Sequence, residues 1–161
     1  MAYSPQQTAE EAPIPGARML VVEAPYYEAI AAELRAGALA RLQSAGVEVA
    51  HIQVPGALEI PVAAAIALDA AAKAGKPFDG VVALGCVIRG ETSHYDIVAG
   101  ESARALMELG VTRKLPVGNG ILTVDTEAQA KKRADRKQGD KGGAAASAAL
   151  ALVRLARAKA G

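Results

Sequence analysis

Aromatic residues are scarce in this sequence, which has no tryptophan, one phenylalanine and four tyrosines. Proteins that bind single-stranded nucleic acid stack its bases on aromatic side chains, so this composition argues against such a platform. No charge of either sign dominates, because 18 Lys and Arg stand against 17 Asp and Glu. Binding to a phosphate backbone relies on a basic surplus, so a formal net charge of +1 argues against nucleic acid as the main partner.

Cysteine and histidine are rare as well. A single cysteine excludes an internal disulfide framework and is typical of a reducing compartment. With only two histidines beside that cysteine, we do not expect a structural zinc site.

Long hydrophobic runs are also missing. The longest apolar stretch, residues 57–72, is interrupted by Glu59, Pro61 and Asp69, whereas a membrane-spanning helix needs about 20 mostly apolar residues. The first 17 residues contain Pro5, Pro13 and Pro15 and no apolar run, which is unlike a secretory signal. We therefore expect a cytoplasmic protein.

The sequence does contain enough apolar residues for one core, since 52% of its 161 residues are hydrophobic. We predict an N-terminal tail over residues 1–17 and a single domain over residues 18–161. Within that domain, short apolar runs alternate with segments of helical periodicity. The predicted strands are Met19–Val22, Val47–Val54, Gly80–Leu84 and Gly120–Val124, and the predicted helices cover residues 30–42, 60–74, 95–109, 126–137 and 144–159.

Glycines are expected at the ends of several of these elements. Gly46, Gly75 and Gly110 are predicted to end the first three helices. Gly142 and Gly143, with Gly139 before them, are predicted to break the chain ahead of the last helix.

Apolar strands that alternate with helices predict a parallel sheet covered by helices on both faces. In such folds, ligands bind beyond the carboxyl ends of the strands. The loops that follow the strands are therefore the expected place of the chemistry.

The loop after the third predicted strand is the richest in reactive residue types. Glu91, Thr92 and Ser93 begin the next helix, where free N–H groups and the helix dipole favour an anion such as phosphate. His94 follows directly, and histidine is suited to proton transfer near neutral pH. In the alternative interpretation, Thr92 or Ser93 only caps the helix and His94 is a surface residue.

Other loops supply weaker candidates. Glu59, at the start of the second helix, either accepts hydrogen bonds from ligand hydroxyls or is simply favoured there by the helix dipole. Arg133 and Lys141 belong to a basic run that either binds a phosphate or forms a solvated helix face. Tyr26 and Tyr27 either stack on a planar ring or pack at the edge of the first loop.

Two further residues receive no chemical role at this point. Cys86 is predicted to be a small buried apolar residue. His51 alternates with strand residues and has no partner in the sequence.

Two segments resemble the signature loops of the lumazine synthase family: residues 55–61, PGALEIP, and residues 85–96, GCVIRGETSHYD. Residues 120–124 match in place, as does Arg133 followed eight residues later by Lys141-Gly142, so that the resemblance covers residues 18–158. The resemblance implies a flavodoxin-like, three-layer α/β/α sandwich with a four-stranded parallel sheet. It also implies a homopentamer, in some members twelve pentamers in a hollow shell, whose N-terminal tail adds a strand to a neighbouring subunit.

By the same resemblance, the protein is a transferase that needs no cofactor and no metal. It would condense 5-amino-6-(D-ribitylamino)uracil with 3,4-dihydroxy-2-butanone 4-phosphate to 6,7-dimethyl-8-ribityllumazine, the penultimate step of riboflavin biosynthesis. The alternative is a non-catalytic flavin- or lumazine-binding protein of the same fold. Such a binder could lose its phosphate-binding and proton-transfer residues, and their presence here favours the enzyme.

The resemblance also implies roles for individual residues. His94 would move protons, and Glu91, Thr92 and Arg133 would hold the phosphate, with Arg133 supplied by a neighbouring subunit. Glu91 replaces a small residue of the family, so either its backbone N–H serves the phosphate and its side chain turns away, or its carboxylate repels the phosphate. The implied binding residues for the rest of the substrates are Tyr26 for ring stacking, Ala57, Leu58 and Glu59 for the ribityl chain, the backbone of Cys86, Val87 and Ile88 for the pyrimidine edge, Asn119 from one of the two subunits, and Lys141 as added positive charge.

Overall fold

The structure is a computed structural model that describes residues 11–161. Its elements follow one another along the chain as strand and helix until two helices close it. They are β1 (Arg18–Glu23), α1 (Glu28–Ser44), β2 (Glu48–Gln53), α2 (Glu59–Lys73), β3 (Gly80–Ile88), α3 (His94–Arg113), β4 (Val117–Val124), α4 (Glu127–Ala134) and α5 (Lys141–Ala160).

The four strands form one parallel sheet in the order β2-β1-β3-β4. Central strand β1 places Leu20 beside Ala50 of β2 and beside Val81 of β3. On the far side of β3, Ala83 lies opposite Asn119 of β4. The predicted four-stranded parallel sheet is confirmed.

Helices cover both faces of this sheet. Met19 and Val21 point toward a core shared with α1, α4 and α5, whereas Leu20 and Val22 point toward a second core shared with α2 and α3. Side chains alternate between the two faces of a strand, so burial on both faces requires the continuous apolar run seen in the sequence. The result is the expected three-layer, flavodoxin-like sandwich.

The third strand is longer than predicted. It continues from Leu84 to Ile88 because β4 pairs with it along its whole carboxyl half, where Gly85 lies opposite Ile121 and Ile88 opposite Val124. The prediction that β3 ends at Leu84 was wrong, and residues 85–88 are strand rather than loop.

Two of the three predicted glycine stops are confirmed. Gly46 and Gly75 follow α1 and α2 with φ of 67° and 73°, a left-handed conformation that glycine adopts without strain. Gly110 does not end α3, which continues to Arg113 and closes at Lys114 in a left-handed conformation. At position 110 a Cβ would lie 3.4 Å from the carbonyl oxygen of Leu115, which is an ordinary van der Waals contact.

The last two helices also differ from their predicted bounds. Helix α4 stops at Ala134 because Asp135 turns the chain, and its side chain accepts a hydrogen bond from the N–H of Lys137 at 2.8 Å. Helix α5 already begins at Lys141, with Asp140 capping it through the N–H of Gly143 at 3.2 Å. Gly142 and Gly143 therefore lie inside the first turn of α5, and the prediction that they break the chain was wrong.

The segment before β1 contacts the rest of the domain where the structure describes it. Ile14 and Ala17 are buried in the core beneath α1 and α5, and Arg154 of α5 pairs with Glu11 at 2.9 Å. Residues 1–10 of the predicted tail lie outside the described residues, so the tail boundary and its strand in a neighbouring subunit stay predictions. Within residues 11–161, no helix is both long and apolar enough to cross a membrane.

Candidate active site

The site residues predicted from sequence lie mainly where the strands end. Because all four strands are parallel, β1, β2, β3 and β4 end at the same side of the sheet, which we call the carboxyl edge. The loops 24–27, 54–58, 89–93 and 125–126 leave the sheet there. This is the edge at which open α/β sheets bind ligands.

The first loop presents one exposed aromatic ring. Tyr26 is 75% exposed, whereas Tyr27 is half-buried and packs against the core under α1. The two rings meet edge to face, with centroids 5.0 Å apart. Burial also raises the pKa of the Tyr27 hydroxyl. Tyr26 therefore has a free ring face for a planar ligand, and Tyr27 supports it from below.

The second loop leads directly into α2. Ala57 is buried, while Leu58 and Glu59 are exposed at the start of the helix. Gly56 lets the Glu59 side chain fold close to the loop, since a Cβ at position 56 would lie 3.0 Å from Oε2 of Glu59. No side chain of the described residues caps this helix, and its first two N–H groups, those of Glu59 and Ile60, donate to the carbonyls of Gly56 and Ala57 at 3.1 and 3.3 Å.

The end of β3 exposes backbone rather than side-chain chemistry. β1 pairs with β3 only as far as Leu84, whose carbonyl accepts the N–H of Ala24 at 3.0 Å. Beyond that point Cys86, Val87 and Ile88 keep β4 on one side and have the first loop on the other. Backbone groups of this stretch can therefore hydrogen-bond to a ligand edge.

Cys86, predicted to be a small buried apolar residue, is half-buried and packs against the core under α1. Burial raises the pKa of its thiol to about 11. The thiol is thus protonated at neutral pH, and only a thiolate would act as a nucleophile or metal ligand. In residues 11–161 no group of three or more His, Cys, Asp or Glu residues could hold a metal ion.

The third loop brings the predicted acid–base and anion-binding residues together. Glu91, Thr92 and His94 are all exposed at the start of α3, with His94 as its first residue. Thr92 Oγ1 accepts the N–H of His94 at 3.3 Å, whereas Ser93 makes no capping hydrogen bond. Of the two predicted capping residues, only Thr92 accepts a hydrogen bond from an N–H group at the start of α3.

Arg89 holds this loop against its neighbours. Its Nε donates to Asp125 at 3.1 Å, and its guanidinium lies 4.2 Å from the ring centroid of Tyr95. Its Nη1 is 3.6 Å from Asp96. These pairs raise the pKa of Arg89, chiefly through the hydrogen bond to Asp125.

Three predicted site residues lie apart from this cluster. Asn119 sits mid-strand in β4, opposite Ala83, and its Oδ1 accepts the N–H of Ile121 at 2.9 Å. Arg133 is exposed on α4 and donates to the carbonyl of Gln129 at 3.2 Å. Lys141 is the first residue of α5. At about 3.3 Å per residue, Asn119 is roughly 16 Å before the end of β4. The register places it level with Ala83 of β3 and Val22 of β1.

Sequence reasoning missed a polar cluster around Glu23. This carboxylate is 1% exposed, and Nε2 of His51, to which no role was assigned, lies 3.2 Å from its Oε1. The parallel register places Val21 beside His51 and Glu23 beside Gln53. The alternation of side chains along two neighbouring strands was the available signal, but it required knowing which strands pair.

Comparison with known proteins agrees with the signature loops. A family model described as 6,7-dimethyl-8-ribityllumazine synthase matches residues 16–157. The protein of that name from Azorhizobium caulinodans is 63% identical to this chain over 145 residues, which cover 90% of each of the two chains. In Xanthobacter autotrophicus the identity is 66%, over 88% of this chain and 86% of the relative. The relative from Methylocella silvestris is 65% identical over 88% of this chain and 87% of its own length. Signature loops at one sheet edge, a flavodoxin-like fold and these matches together show that the chain belongs to the 6,7-dimethyl-8-ribityllumazine synthase family.

Proposed function

We propose that this enzyme forms 6,7-dimethyl-8-ribityllumazine at the carboxyl edge of its sheet. Its family membership supports the reaction expected from sequence, the condensation of 5-amino-6-(D-ribitylamino)uracil with 3,4-dihydroxy-2-butanone 4-phosphate. The observation that carries the location is that both signature loops leave the sheet at this one edge, one before α2 and one before α3. A planar-ring surface, exposed backbone groups and an open helix N-terminus lie there together.

The pyrimidine binds between the first loop and the end of β3 in this proposal. Tyr26 stacks on the ring with its exposed face, and the backbone of Cys86, Val87 and Ile88 hydrogen-bonds to the ring edge. An aromatic face and a strand backbone suit a flat heterocycle with several donors and acceptors.

The ribityl chain extends along the second loop. Ala57 and Leu58 contact its carbon atoms, and Glu59 accepts hydrogen bonds from its hydroxyls. Because Glu59 is exposed, its carboxylate oxygens are accessible to the ligand hydroxyls.

The phosphate of the second substrate binds at the start of α3. The backbone N–H of Glu91 and the N–H and hydroxyl of Thr92 donate to its oxygens, while the positive end of the helix dipole favours its charge. The exposed Glu91 carboxylate remains in solvent. A phosphate held there stands directly beside His94.

Neighbouring subunits complete the site. Arg133, Lys141 and Asn119 belong to α4, α5 and β4 rather than to the third loop, and we assign their contribution to an adjoining copy in a homopentamer, as the family resemblance implies. Large apolar side chains are exposed on one side of the domain, which suits burial between copies. They include Val62 and Ile66 of α2 and Ile97, Met107 and Val111 of α3.

Each step of the condensation moves a proton. The 5-amino group of the pyrimidine attacks the ketone, and an imine forms with loss of one water. Phosphate is then eliminated and the resulting enol becomes a ketone. The ribitylamino nitrogen attacks that carbonyl, and the ring closes with loss of a second water. His94 can donate and accept these protons near neutral pH. Arg133 and the α3 N-terminus stabilise the charge of the departing phosphate, and joining two molecules in one pocket contributes through positioning.

The test is to mix purified protein with both substrates and to follow the absorbance and fluorescence of the lumazine. We expect formation well above the spontaneous reaction. An unchanged rate combined with tight binding of a flavin or ribityl-lumazine would instead identify a non-catalytic binder of the same fold.

A further inference from the structure

Glu23 is a buried charged residue that the proposed mechanism does not use. Its Oε1 accepts hydrogen bonds from Arg35 Nη1 at 2.7 Å and Gln53 Nε2 at 2.8 Å, and lies 3.2 Å from His51 Nε2. Its Oε2 is buried and has no hydrogen-bond partner in the described part of the chain. A buried polar atom left unpaired costs stability and is rare, so its presence calls for an explanation.

The surroundings of Glu23 point to the substrate loops. Its side chain borders a narrow space that has no room for a water molecule. The remaining residues of that lining come from the first loop (Ala24 and Tyr27), from α1 (Ala31 and Leu34) and from β3 (Leu84, Gly85 and Cys86). Glu23 thus lies directly beneath both parts of the proposed pyrimidine subsite.

Its hydrogen bonds tie together the elements that carry those parts. Arg35 belongs to α1, which begins just after the Tyr26 loop, and Gln53 is the last residue of β2, just before the ribityl loop. The carbonyl of Glu23 also accepts the N–H of Val54 at 2.9 Å. Hydrogen bonds to a charged group are about twice as strong as neutral ones, so this one carboxylate fixes three elements where two substrate loops leave the sheet.

We infer that Glu23 is a positioning residue for the pyrimidine substrate: held by Arg35, Gln53 and His51, its carboxylate sets the Tyr26 loop relative to the backbone of Cys86. This inference rests on the proposed pyrimidine subsite. The phosphate subsite begins α3, whereas the hydrogen bonds of Glu23 reach α1 and β2. The two substrates should therefore respond differently when Glu23 changes.

The primary test is Glu23→Gln, which keeps the shape of the side chain and one acceptor oxygen but removes the charge. We expect the KM for 5-amino-6-(D-ribitylamino)uracil to rise about tenfold, the loss of roughly one charged hydrogen bond. The KM for 3,4-dihydroxy-2-butanone 4-phosphate and kcat should each change by less than about twofold, since a positioning defect in one subsite removes binding there only.

Three more variants make the result decisive. Arg35→Met removes the same ion pair from the helix side and should reproduce the rise, which keeps the inference testable if Glu23→Gln does not fold. Arg18→Met removes a pair across the same two strands at their opposite end, where Arg18 lies 3.2 Å from Glu48, and should leave both KM values unchanged. Tyr26→Ala reports on the subsite itself and should raise the same KM.

The outcomes separate the inference from the proposed function. The inference would be overturned if the KM for 5-amino-6-(D-ribitylamino)uracil stayed unchanged in Glu23→Gln and Arg35→Met but rose in Tyr26→Ala. That result would still support the proposed pyrimidine subsite. Equal rises in both KM values, or the same rise in Arg18→Met, would show that the effect of Glu23 is not specific to the pyrimidine subsite and would overturn the inference as well. An unchanged KM in Tyr26→Ala would refute the subsite and the inference together.

Discussion

Gly142 allows α5 to lie directly on α1, and replacing it by alanine tests that contact. A Cβ at position 142 would overlap the carbonyl oxygen of Leu34 and would lie 2.7 Å from its carbonyl carbon. Both are backbone atoms, so no side-chain rotation relieves the overlap and the two helices must separate. Overpacking of this kind costs about 3 kcal/mol, and the better helix propensity of alanine returns up to about 1 kcal/mol.

The expected net effect is a loss of about 2 kcal/mol in the free energy of unfolding. Gly100→Ala is the matched control, because it makes the same substitution within α3 at a position where a Cβ meets nothing within 4 Å. That variant should gain about 0.8 kcal/mol. Urea unfolding followed by far-UV circular dichroism at one protein concentration measures both. If Gly142→Ala is as stable as the parent, α5 does not approach α1 as closely as described.

Three further predictions concern the site. His94→Ala should lower kcat with little change in either KM, whereas Arg133→Ala should mainly raise the KM for the phosphate substrate. Steady-state kinetics with each substrate varied measures both effects. A parental kcat in His94→Ala, or a parental KM for the phosphate substrate in Arg133→Ala, would refute the role of that residue. With the phosphate substrate held well below the KM of Arg133→Ala, equal amounts of the two variants refolded together should be more active than either variant alone, because in a ring of random composition about one quarter of the sites combine an intact His94 with an intact Arg133 from the next copy. A mixture no more active than its components would contradict a shared site. The raised pKa of Cys86, about 11, predicts slow alkylation by iodoacetamide at pH 8 in the native protein and fast alkylation after unfolding, and equal rates would contradict it. Because the unfolded thiol ionises at lower pH than the native one, its contribution to stability is complete below the unfolded pKa and is lost as pH rises toward about 11.

Local signals were enough for the order and type of the elements. Continuous apolar runs such as Val81–Leu84 can be buried only in a strand with both faces covered, and the stops at Gly46 and Gly75 depend on their own backbone conformation. The spacing of Thr126 and Gln129 is that of a capping box, and Oγ1 of Thr126 accepts the N–H of Gln129 at 3.2 Å. These features involve residues within a few positions of one another.

The errors arose where a distant segment decides the conformation. Gly85 looked like the end of a strand, but pairing with Ile121 keeps it in β3. Gly142 looked like a break, but the backbone of Leu34 is what requires a residue without a side chain there. In both cases the partner is far away in sequence, so local propensity was overruled.

The sequence by itself determined the family, the alternating α/β fold and the two signature loops, because these depend on residues that are close together in the chain. Only the tertiary structure decided the strand order and showed that Tyr26 is exposed at the carboxyl edge while Tyr27 packs against the core. It alone joined Glu23 to Arg35, Gln53 and His51. The physical reason is that a buried carboxylate needs donors from several elements, and strand order and register decide which donors reach it.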